Sequence, residues 1–189
     1  MSEFSDKVWW TRKSKIKAER RLLNLDTYSQ ILLLWHSIFL VFYSIYTLVN
    51  PVKSSSESAI MVALSVSILI LTLFINNMNY KGRAMLLKQS YEQLSLIYTK
   101  AISSHGHDLA QLDKDYQSIL AASENHLELD FIKAVVDENS NSTDGSKLSK
   151  HPTCIHKLLV VFYAVRNFIY FVFIFCVPFL ILYFLRMDA

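Results

Sequence analysis

The chain has 189 residues, of which 52% are hydrophobic and only 19% are charged, and its formal net charge is +3. The apolar residues are concentrated in three long blocks, which argues against a water-soluble domain and predicts a membrane protein. Two cysteines, Cys154 in a polar segment and Cys176 in an apolar one, do not form a disulfide framework. The charged N-terminus lacks the features of a cleavable signal peptide, so we expect the first apolar block to act as the targeting signal.

The first two apolar blocks run from Ser29 to Val49 and from Ser58 to Met78, and neither contains Asp, Glu, Lys or Arg. Each has about 21 residues, and about 20 residues cross a bilayer as a helix. Because only a short polar link joins them, we expect an antiparallel transmembrane hairpin. No Gly or Pro lies between about Ser14 and Val49, so the preceding basic segment is predicted to continue into the first span as one helix.

The distribution of cations predicts how the hairpin is oriented. The link between the spans carries only Lys53, which Glu57 offsets. Seven cations precede Ser29, namely Lys7, Arg12, Lys13, Lys15, Lys17, Arg20 and Arg21. The positive-inside rule therefore predicts a cytoplasmic N-terminus. Topology and contact with anionic lipid head groups already account for this basic segment, so nucleic-acid binding is disfavoured.

Two amphipathic helices are predicted after the second span, at about residues 83–103 and 108–137. The first carries a heptad seam of Leu87, Tyr91, Leu94, Tyr98 and Ala101. The second carries an apolar stripe of Leu112, Tyr116, Ile119, Leu120, Leu127, Phe131 and Val135, with Asp108 as its expected N-cap. Gly82, Gly106 and Gly145 are predicted helix stops. We expect a cytoplasmic antiparallel hairpin that packs on itself or on neighbouring subunits.

The polar residues 138–156 are predicted to form a flexible linker, and residues 157–186 a C-terminal transmembrane segment. Phe168 to Leu185 is free of charge and just long enough to span. Arg166 is expected to reach back to the membrane surface, and Pro178 to kink the helix. An interfacial helix is the alternative, but this segment lacks a polar face. The predicted fold is an all-α membrane protein with a transmembrane hairpin, a cytoplasmic helical hairpin and a third transmembrane helix.

Polar and small residues follow separate faces of the first two spans. We assign His36 on the first span, and Ser65, Thr72 and Asn76 on the second, as candidate pore-lining residues. Small residues at Ala59, Ala63 and Ser67 are candidates for close helix packing. Two alternatives stay open: hydroxyl groups can bond to their own helix backbone, and His36 can be a satisfied polar residue within the helix bundle.

A short polar cluster lies in the predicted second soluble helix. It contains Tyr116, Glu124, Asn125, His126 and Asp130. Glu124 shares a helical face with Glu128, whereas His126 shares a different one with Asp130, so zinc-ligand spacing is absent. The chain also has no nucleophile elbow, P-loop or glycine-rich phosphate loop. We therefore expect no catalytic site, metal or cofactor, and interpret the cluster as polar bonding between helices.

Three features together resemble the SLATT family, the two-transmembrane effector domains of prokaryotic conflict systems. The first is the basic entry helix that feeds the first span, RKSKIKAERRLLNLDTYSQILLLWHSIFLVFYSI. The second is the helix after the second span, NNMNYKGRAMLLKQSYEQLSLIY. The third is a signature formed by Tyr116, Leu120, Glu124, Asn125, His126, Asp130 and Phe131. The resemblance covers about Arg12 to Val136, giving a SLATT-like domain at residues 1–136, and is closest to the subgroup encoded beside reverse transcriptases.

The resemblance implies a membrane effector without enzymatic activity or cofactor, placed in the bacterial inner membrane with the signature helix as its control surface. Such proteins are expected to oligomerise and permeabilise the membrane when a co-encoded sensor or a reverse transcriptase signals phage infection. Two other functions remain open: a membrane anchor or sensor that recruits a cytoplasmic partner without forming a pore, and a small membrane enzyme. The absence of acid, base or metal clusters at membrane depth disfavours the enzyme.

Overall fold

The computed structural model of the chain describes residues 3–50, 55–103 and 109–187. All regular structure in these ranges is helical, which confirms the all-α fold class. The helices are α1 (Glu3–Val49), α2 (Ser55–Asn77), α3 (Tyr80–Ile102), α4 (Leu109–Ala121), α5 (Glu128–Asn141), a 3₁₀ turn (Gly145–Lys147) and α6 (Cys154–Met187).

Two compact units make up the chain. The polar unit comprises Met1–Asn24 and Tyr80–Ala164, and the apolar unit comprises Leu25–Asn79 and Val165–Ala189. The first part of α1 therefore belongs to the polar unit and the remainder to the apolar unit. We call residues 3–24 of α1 the entry segment.

Three stretches are long and apolar enough to cross a membrane: Glu3–Val49, Ser58–Ile102, in which α2 is the apolar part, and Cys154–Phe184. The most apolar parts of these stretches are 0%, 0% and 6% buried. Apolar surfaces of this extent are stable against lipid and costly against water. The three stretches confirm the prediction of a membrane protein with three helices able to span.

The connection between α2 and α3 shows why one expected helix stop is wrong. Gly82 lies inside α3, and the break falls at residues 78 and 79, where Asn79 adopts a positive φ of 45°. Asn tolerates this left-handed conformation better than most residues, so it can end a helix where Gly is expected. Gly145 begins the 3₁₀ turn, between helices as predicted. The stops expected at Pro51 and Gly106, and the N-cap expected at Asp108, lie outside the described residues.

The second soluble helix differs from its prediction. A single helix was expected over residues 108–137, but α4 ends at Ala121 and α5 begins at Glu128. Residues 122–127 leave the helical path, and the Leu127 N–H is bonded to the Asp130 side chain at 3.0 Å. This side chain satisfies a backbone donor at the start of α5 and so allows a new helix to begin there.

The core of the polar unit contains α3, α4 and the entry segment. One cluster joins Val8 of α1 to Leu94 and Ile97 of α3 and to Leu112 and Tyr116 of α4. A second cluster joins Ala18 and Leu22 of α1 to Ala84 and Leu87 of α3. In the predicted seam Leu87, Leu94 and Ala101 are buried, whereas Tyr91 and Tyr98 are half-buried. α3 and α4 therefore pack on each other as predicted, and the entry segment adds a third helix to their core.

Part of the segment 138–156, predicted to be a flexible linker, makes specific contacts with helices. α5 continues to Asn141, and α6 begins already at Cys154. Between them, the Ser149 hydroxyl accepts a bond from the Trp10 indole at 2.7 Å and donates to Asp6 at 2.6 Å. Ser149 therefore links this segment to the entry segment.

In the apolar unit, α6 packs against the membrane-spanning part of α1. The Trp35 ring stacks on Phe175 with centroids 4.5 Å apart, and its indole N–H donates to the Phe175 carbonyl at 3.0 Å. Tyr28 and Phe171 make a second ring contact at 5.4 Å. Pro178, inside α6, is buried. The third apolar block is thus a packing partner of the first span.

Candidate functional site

The entry segment and α5 are joined by a buried ion pair. The Asp130 side chain is fully buried, and both of its oxygens accept bonds from Arg21 Nε, at 3.1 and 3.2 Å. One of these oxygens also accepts the Leu127 N–H. A buried carboxylate is costly unless it is paired and hydrogen-bonded. Asp130 meets both conditions, so it fixes the start of α5 to α1.

Two further ion pairs link the same two helices. Lys13 Nζ lies 2.6 Å from Glu138 Oε1, and Lys17 pairs with Asp137. The hydrogen bond from Lys17 lowers the pKa of Asp137, and this outweighs the opposing effect of burial. Lys13, Lys17 and Arg21 follow one another at intervals of four residues and therefore share one face of α1. Their partners run in the opposite order along α5.

Lys15 is fully buried and lies beside residues 122–127. Its ammonium donates to the Ser123 hydroxyl at 2.6 Å, and lies 3.5 Å from both Ser90 Oγ and the Glu124 carbonyl. Burial lowers the pKa of Lys15, while the Glu124 carboxylate opposes this effect. A buried lysine needs such acceptors because its charge is otherwise unsolvated. Lys15 thus holds the irregular segment against α1 and α3.

Glu124 and His126 complete the cluster. Arg83 of α3 donates from Nε at 2.9 Å and from Nη2 at 2.5 Å to one Glu124 oxygen. The other Glu124 oxygen and His126 Nδ1 are buried and make no hydrogen bond within the described residues. Burial lowers the pKa of His126; the Asp130 carboxylate opposes this, and the Lys15 charge lowers it further. His126 is therefore favoured in its neutral form.

His126 also lines a cavity of about 420 Å³ in the polar unit. The other lining residues are Glu3, Asp6, Lys7, Trp10, Thr11, Ser14, Phe131 and Lys150. The Lys150 ammonium lies 4.7 Å from the centre of the Phe131 ring and 5.9 Å from that of the Trp10 ring. The lining mixes both charge signs and so shows no preference for a charged ligand.

The remaining signature residues differ in their placement. Tyr116 is buried, with its hydroxyl 3.0 Å from Thr11 Oγ1 and its ring against Phe4. Asn125 is exposed, and its side chain accepts the His126 N–H at 2.9 Å. Tyr116, Glu124 and Asp130 thus each contact the entry segment or α3, while Asn125 shapes only its own segment. Among the described residues no group of three His, Cys, Asp or Glu side chains is placed to hold a metal.

Comparison with known protein families identifies this architecture. The profile of the SMODS and SLOG-associating 2TM effector domain family 5 matches residues 1–184. The chain belongs to this SLATT family. The match includes α6, so the third apolar block lies within the region that family members share. No curated protein and no solved structure matches the chain. SLATT membership is thus confirmed, whereas the association with reverse transcriptases stays a prediction.

The polar faces of this SLATT protein's first two helices meet in one groove of the apolar unit. The groove measures about 530 Å³, and its polar lining includes Tyr43 and Thr47 of α1 and Ser58 and Ser65 of α2. Of the four candidate pore-lining residues, only Ser65 lies on it. His36, Thr72 and Asn76 lie on the same helices but do not line this groove.

The candidate pore-lining residues mostly bond to their own helices. Ser65 donates to the Val62 carbonyl at 2.8 Å and Thr72 to the Ile68 carbonyl at 2.7 Å. His36 Nδ1 lies 2.7 Å from the Leu32 carbonyl. Such bonds let polar side chains face lipid at reduced cost. Their assignment to a pore stays a prediction.

The candidate packing residues Ala59, Ala63 and Ser67 are all exposed. Their face of α2 is therefore not covered by the other described helices of the same chain. Small residues on such a face permit close approach of another helix. Their role in packing between copies stays a prediction.

Sequence reasoning missed the pairing between α1 and α5 in this SLATT domain. It interpreted the basic segment as a topology signal and a lipid contact. The spacing of Lys13, Lys17 and Arg21 by four residues was visible, as were the acids in the signature helix. The interruption of the helix at residues 122–127 could not be predicted, because it depends on Lys15, which is distant in sequence but lies beside these residues in the structure.

Proposed function

We propose that this SLATT protein is the effector of a bacterial anti-phage system that permeabilises the inner membrane when a partner activates it. Its family membership gives a two-transmembrane effector domain in conflict systems. The observation that supports permeabilisation is the groove between α1 and α2, which draws polar side chains from both helices. Polar residues inside a membrane are costly and are retained where they face a water path or another helix.

Permeabilisation by this effector requires several copies. A single pair of spans cannot enclose a water path, because backbone and polar side chains at membrane depth need partners on every side. The exposed small-residue face of Ala59, Ala63 and Ser67 offers a surface on which helices of neighbouring copies can approach closely. Oligomerisation on this face would bring the polar faces of several chains around one axis, with Ser65, Thr72, Asn76 and His36 lining it.

The activating partner is proposed to act on the cytoplasmic side, as a co-encoded sensor or a reverse transcriptase. With the N-terminus in the cytoplasm, the polar unit would face that partner, and of the signature residues the exposed Asn125 would lie on its surface. The protein itself carries out no reaction and needs no cofactor in this proposal. Its output is the loss of the membrane potential.

A membrane anchor that recruits a partner without opening a pore is the second candidate. It is favoured by the backbone bonds of Ser65 and Thr72, which satisfy these hydroxyls without water. An anchor needs the polar unit and the spans, but it does not need polar faces on the spans. The two functions therefore differ in their sensitivity to changes on those faces.

Replacement of two candidate pore-lining residues outside the groove, Thr72 and Asn76, separates the two functions. In cells that overproduce the protein, Thr72→Val combined with Asn76→Leu is expected to lower depolarisation at least tenfold, as measured with a membrane-potential dye. The matched control is Leu73→Val combined with Phe74→Leu, since both side chains are exposed on α2 and remain apolar. Equal depolarisation by the lining variant and the wild type, at equal abundance in the membrane, would contradict the pore.

A further inference from the structure

Two of the membrane-spanning helices, α1 and α6, are held together by specific contacts. The Trp35 ring stacks on Phe175, and the Trp35 indole donates to the Phe175 carbonyl. The rings of Tyr28 and Phe171 make a further contact one to two turns away. Ring contacts and a satisfied indole N–H fix both the spacing and the rotation of two helices. α1 and α6 therefore form a frame within the apolar unit, which we call the α1–α6 pair.

The third spanning helix, α2, is attached much more loosely. Among its described side chains, residues 58–77, none is buried. Beside it, a groove of about 530 Å³ lies between α1 and α2, whereas well-packed interiors leave few voids larger than a water molecule. α2 can therefore move away from α1 without opening a packed core. The half-buried side chains of α2 form a single stripe, namely Met61, Leu64, Ile68, Thr72 and Ile75.

The start of α3, by contrast, is firmly held. Ala84 and Leu87 are buried in the cluster that they share with the entry segment, and Tyr80 packs against this cluster. Arg83 donates to the Glu124 carboxylate from the same turns of the helix. Because its first two turns are fixed in this way, α3 does not follow a movement of α2. The two residues between the helices must absorb such a movement.

These two residues, Met78 and Asn79, have the backbone of a pivot. Asn79 adopts a positive φ of 45°, and neither residue belongs to a helix. A single residue in this conformation sets the angle between two helices, since a change of its φ and ψ turns the whole neighbouring helix. α1 and α6 are each one continuous helix. Loose packing and a break in the backbone thus coincide at α2.

We infer that α2 pivots at Met78 and Asn79 against the fixed α1–α6 pair, and that this pivot is the movement that opens the membrane path. The opening rests on the proposed function, whereas the pivot stands on the packing and the backbone alone. From Ser58 to Asn79 the chain rises about 30 Å as a helix, so a tilt of about 10° moves the Ser58 end by about 5 Å and residues beside Asn79 by less than about 1 Å. The groove, which α2 lines between Ser58 and Ser65, lies towards the end that moves most.

The pivot is tested by distances between two spin labels, measured by electron paramagnetic resonance on the full chain in lipid bilayers. Dilution with unlabelled protein restricts the measurement to distances within one copy. Cys154 and Cys176 are replaced by Ser, so that labels attach only at introduced cysteines. Three pairs are compared: Thr47→Cys with Ser58→Cys across the groove, Ser29→Cys with Asn76→Cys near the pivot, and Thr27→Cys with Val172→Cys on the α1–α6 pair.

Replacement of Asn79 changes the backbone preference at the pivot. Ala disfavours a positive φ, whereas Gly accepts it, and α2 turns because α3 is fixed. In Asn79→Ala the distance across the groove is expected to change by about 5 Å or more, and the other two distances by less than about 2 Å. Asn79→Gly should keep all three wild-type distances. The matched control is Asn77→Ala, at an exposed asparagine inside α2, which should also leave them unchanged.

An unchanged groove distance in Asn79→Ala would overturn the pivot, and equal changes in all three pairs would overturn the fixed frame. The role in opening is tested by crosslinking the same cysteine pairs in cells. A crosslink across the groove should abolish depolarisation, whereas a crosslink within the α1–α6 pair should preserve it. Equal depolarisation with either crosslink would overturn the role of the pivot in opening. If the protein without a crosslink fails to depolarise the membrane, the proposed function is wrong, and the label distances still decide the pivot.

Discussion

Replacement of Asp130 tests whether the buried ion pair fixes α5 to the entry segment. Asp130→Ala removes the partner of Arg21 and the acceptor of the Leu127 N–H. Loss of one partner of a buried pair costs about 3–5 kcal/mol, and Arg21 is 21% exposed, so the lower end applies. Loss of the bond to a helix-initiating N–H adds about 1 kcal/mol. The expected cost is about 3–4 kcal/mol.

Hydrogen exchange of the α5 amides measures this cost locally. Since about 1.4 kcal/mol corresponds to a factor of ten, exchange should be accelerated on the order of 10² to 10³ fold. Asp130→Asn retains an acceptor for Leu127 and should give an intermediate effect. Glu138→Gln opens a pair whose side chains are 25% and 22% exposed and leaves no fully buried charge without its partner, so its acceleration should be smaller than that of Asp130→Ala. Wild-type exchange in Asp130→Ala, or an equal effect of Glu138→Gln, would refute the reasoning.

Three further predictions concern the titration and packing of the chain. The pKa of His126 is lowered in the folded protein, so as the pH falls below about 6.5 the unfolded state takes up the proton first and the stability of the fold decreases. His126→Gln should flatten the dependence of the melting temperature on pH between pH 7.5 and 5.5, and an unchanged slope would contradict this prediction. Leu94→Ala, at a fully buried position, should lower the free energy of unfolding by about 2–5 kcal/mol, while Leu96→Ala, 65% exposed, should change it by less than about 1 kcal/mol; similar melting temperatures for the two would contradict the core. Trp35→Phe keeps a ring against Phe175 but loses the indole bond, and should cost about 1 kcal/mol; a variant as stable as wild type would show that the bond contributes nothing.

The sequence predicts the membrane helices well because their signal is local. A charge-free run of about 20 residues has few stable environments other than lipid. The continuous α1 helix follows equally directly from the absence of Gly and Pro between Ser14 and Val49. The predicted burial of Leu87 and Leu94 in α3 is also correct, since the heptad pattern that predicts it depends on helical spacing alone.

The contacts of the polar unit were less predictable because they join residues far apart in the chain. The end of α4 and the start of α5 depend on Lys15 and Asp130, whose partners lie more than 100 residues away. The cations of the entry segment carry the same charge whether they face lipid or a carboxylate, so their sequence does not distinguish these partners. The helix stop lies at Asn79 and not at Gly82, because Asn, like Gly, can adopt the left-handed backbone conformation.

The central claim is that this SLATT protein depolarises the membrane when its partner is activated. The most direct measurement follows a membrane-potential dye in cells under phage challenge, with the protein expressed with and without the neighbouring gene. We predict depolarisation only when both are present and phage is added, before phage mature. Recruitment of the partner to the membrane with the potential preserved would contradict the claim and would support an anchor instead.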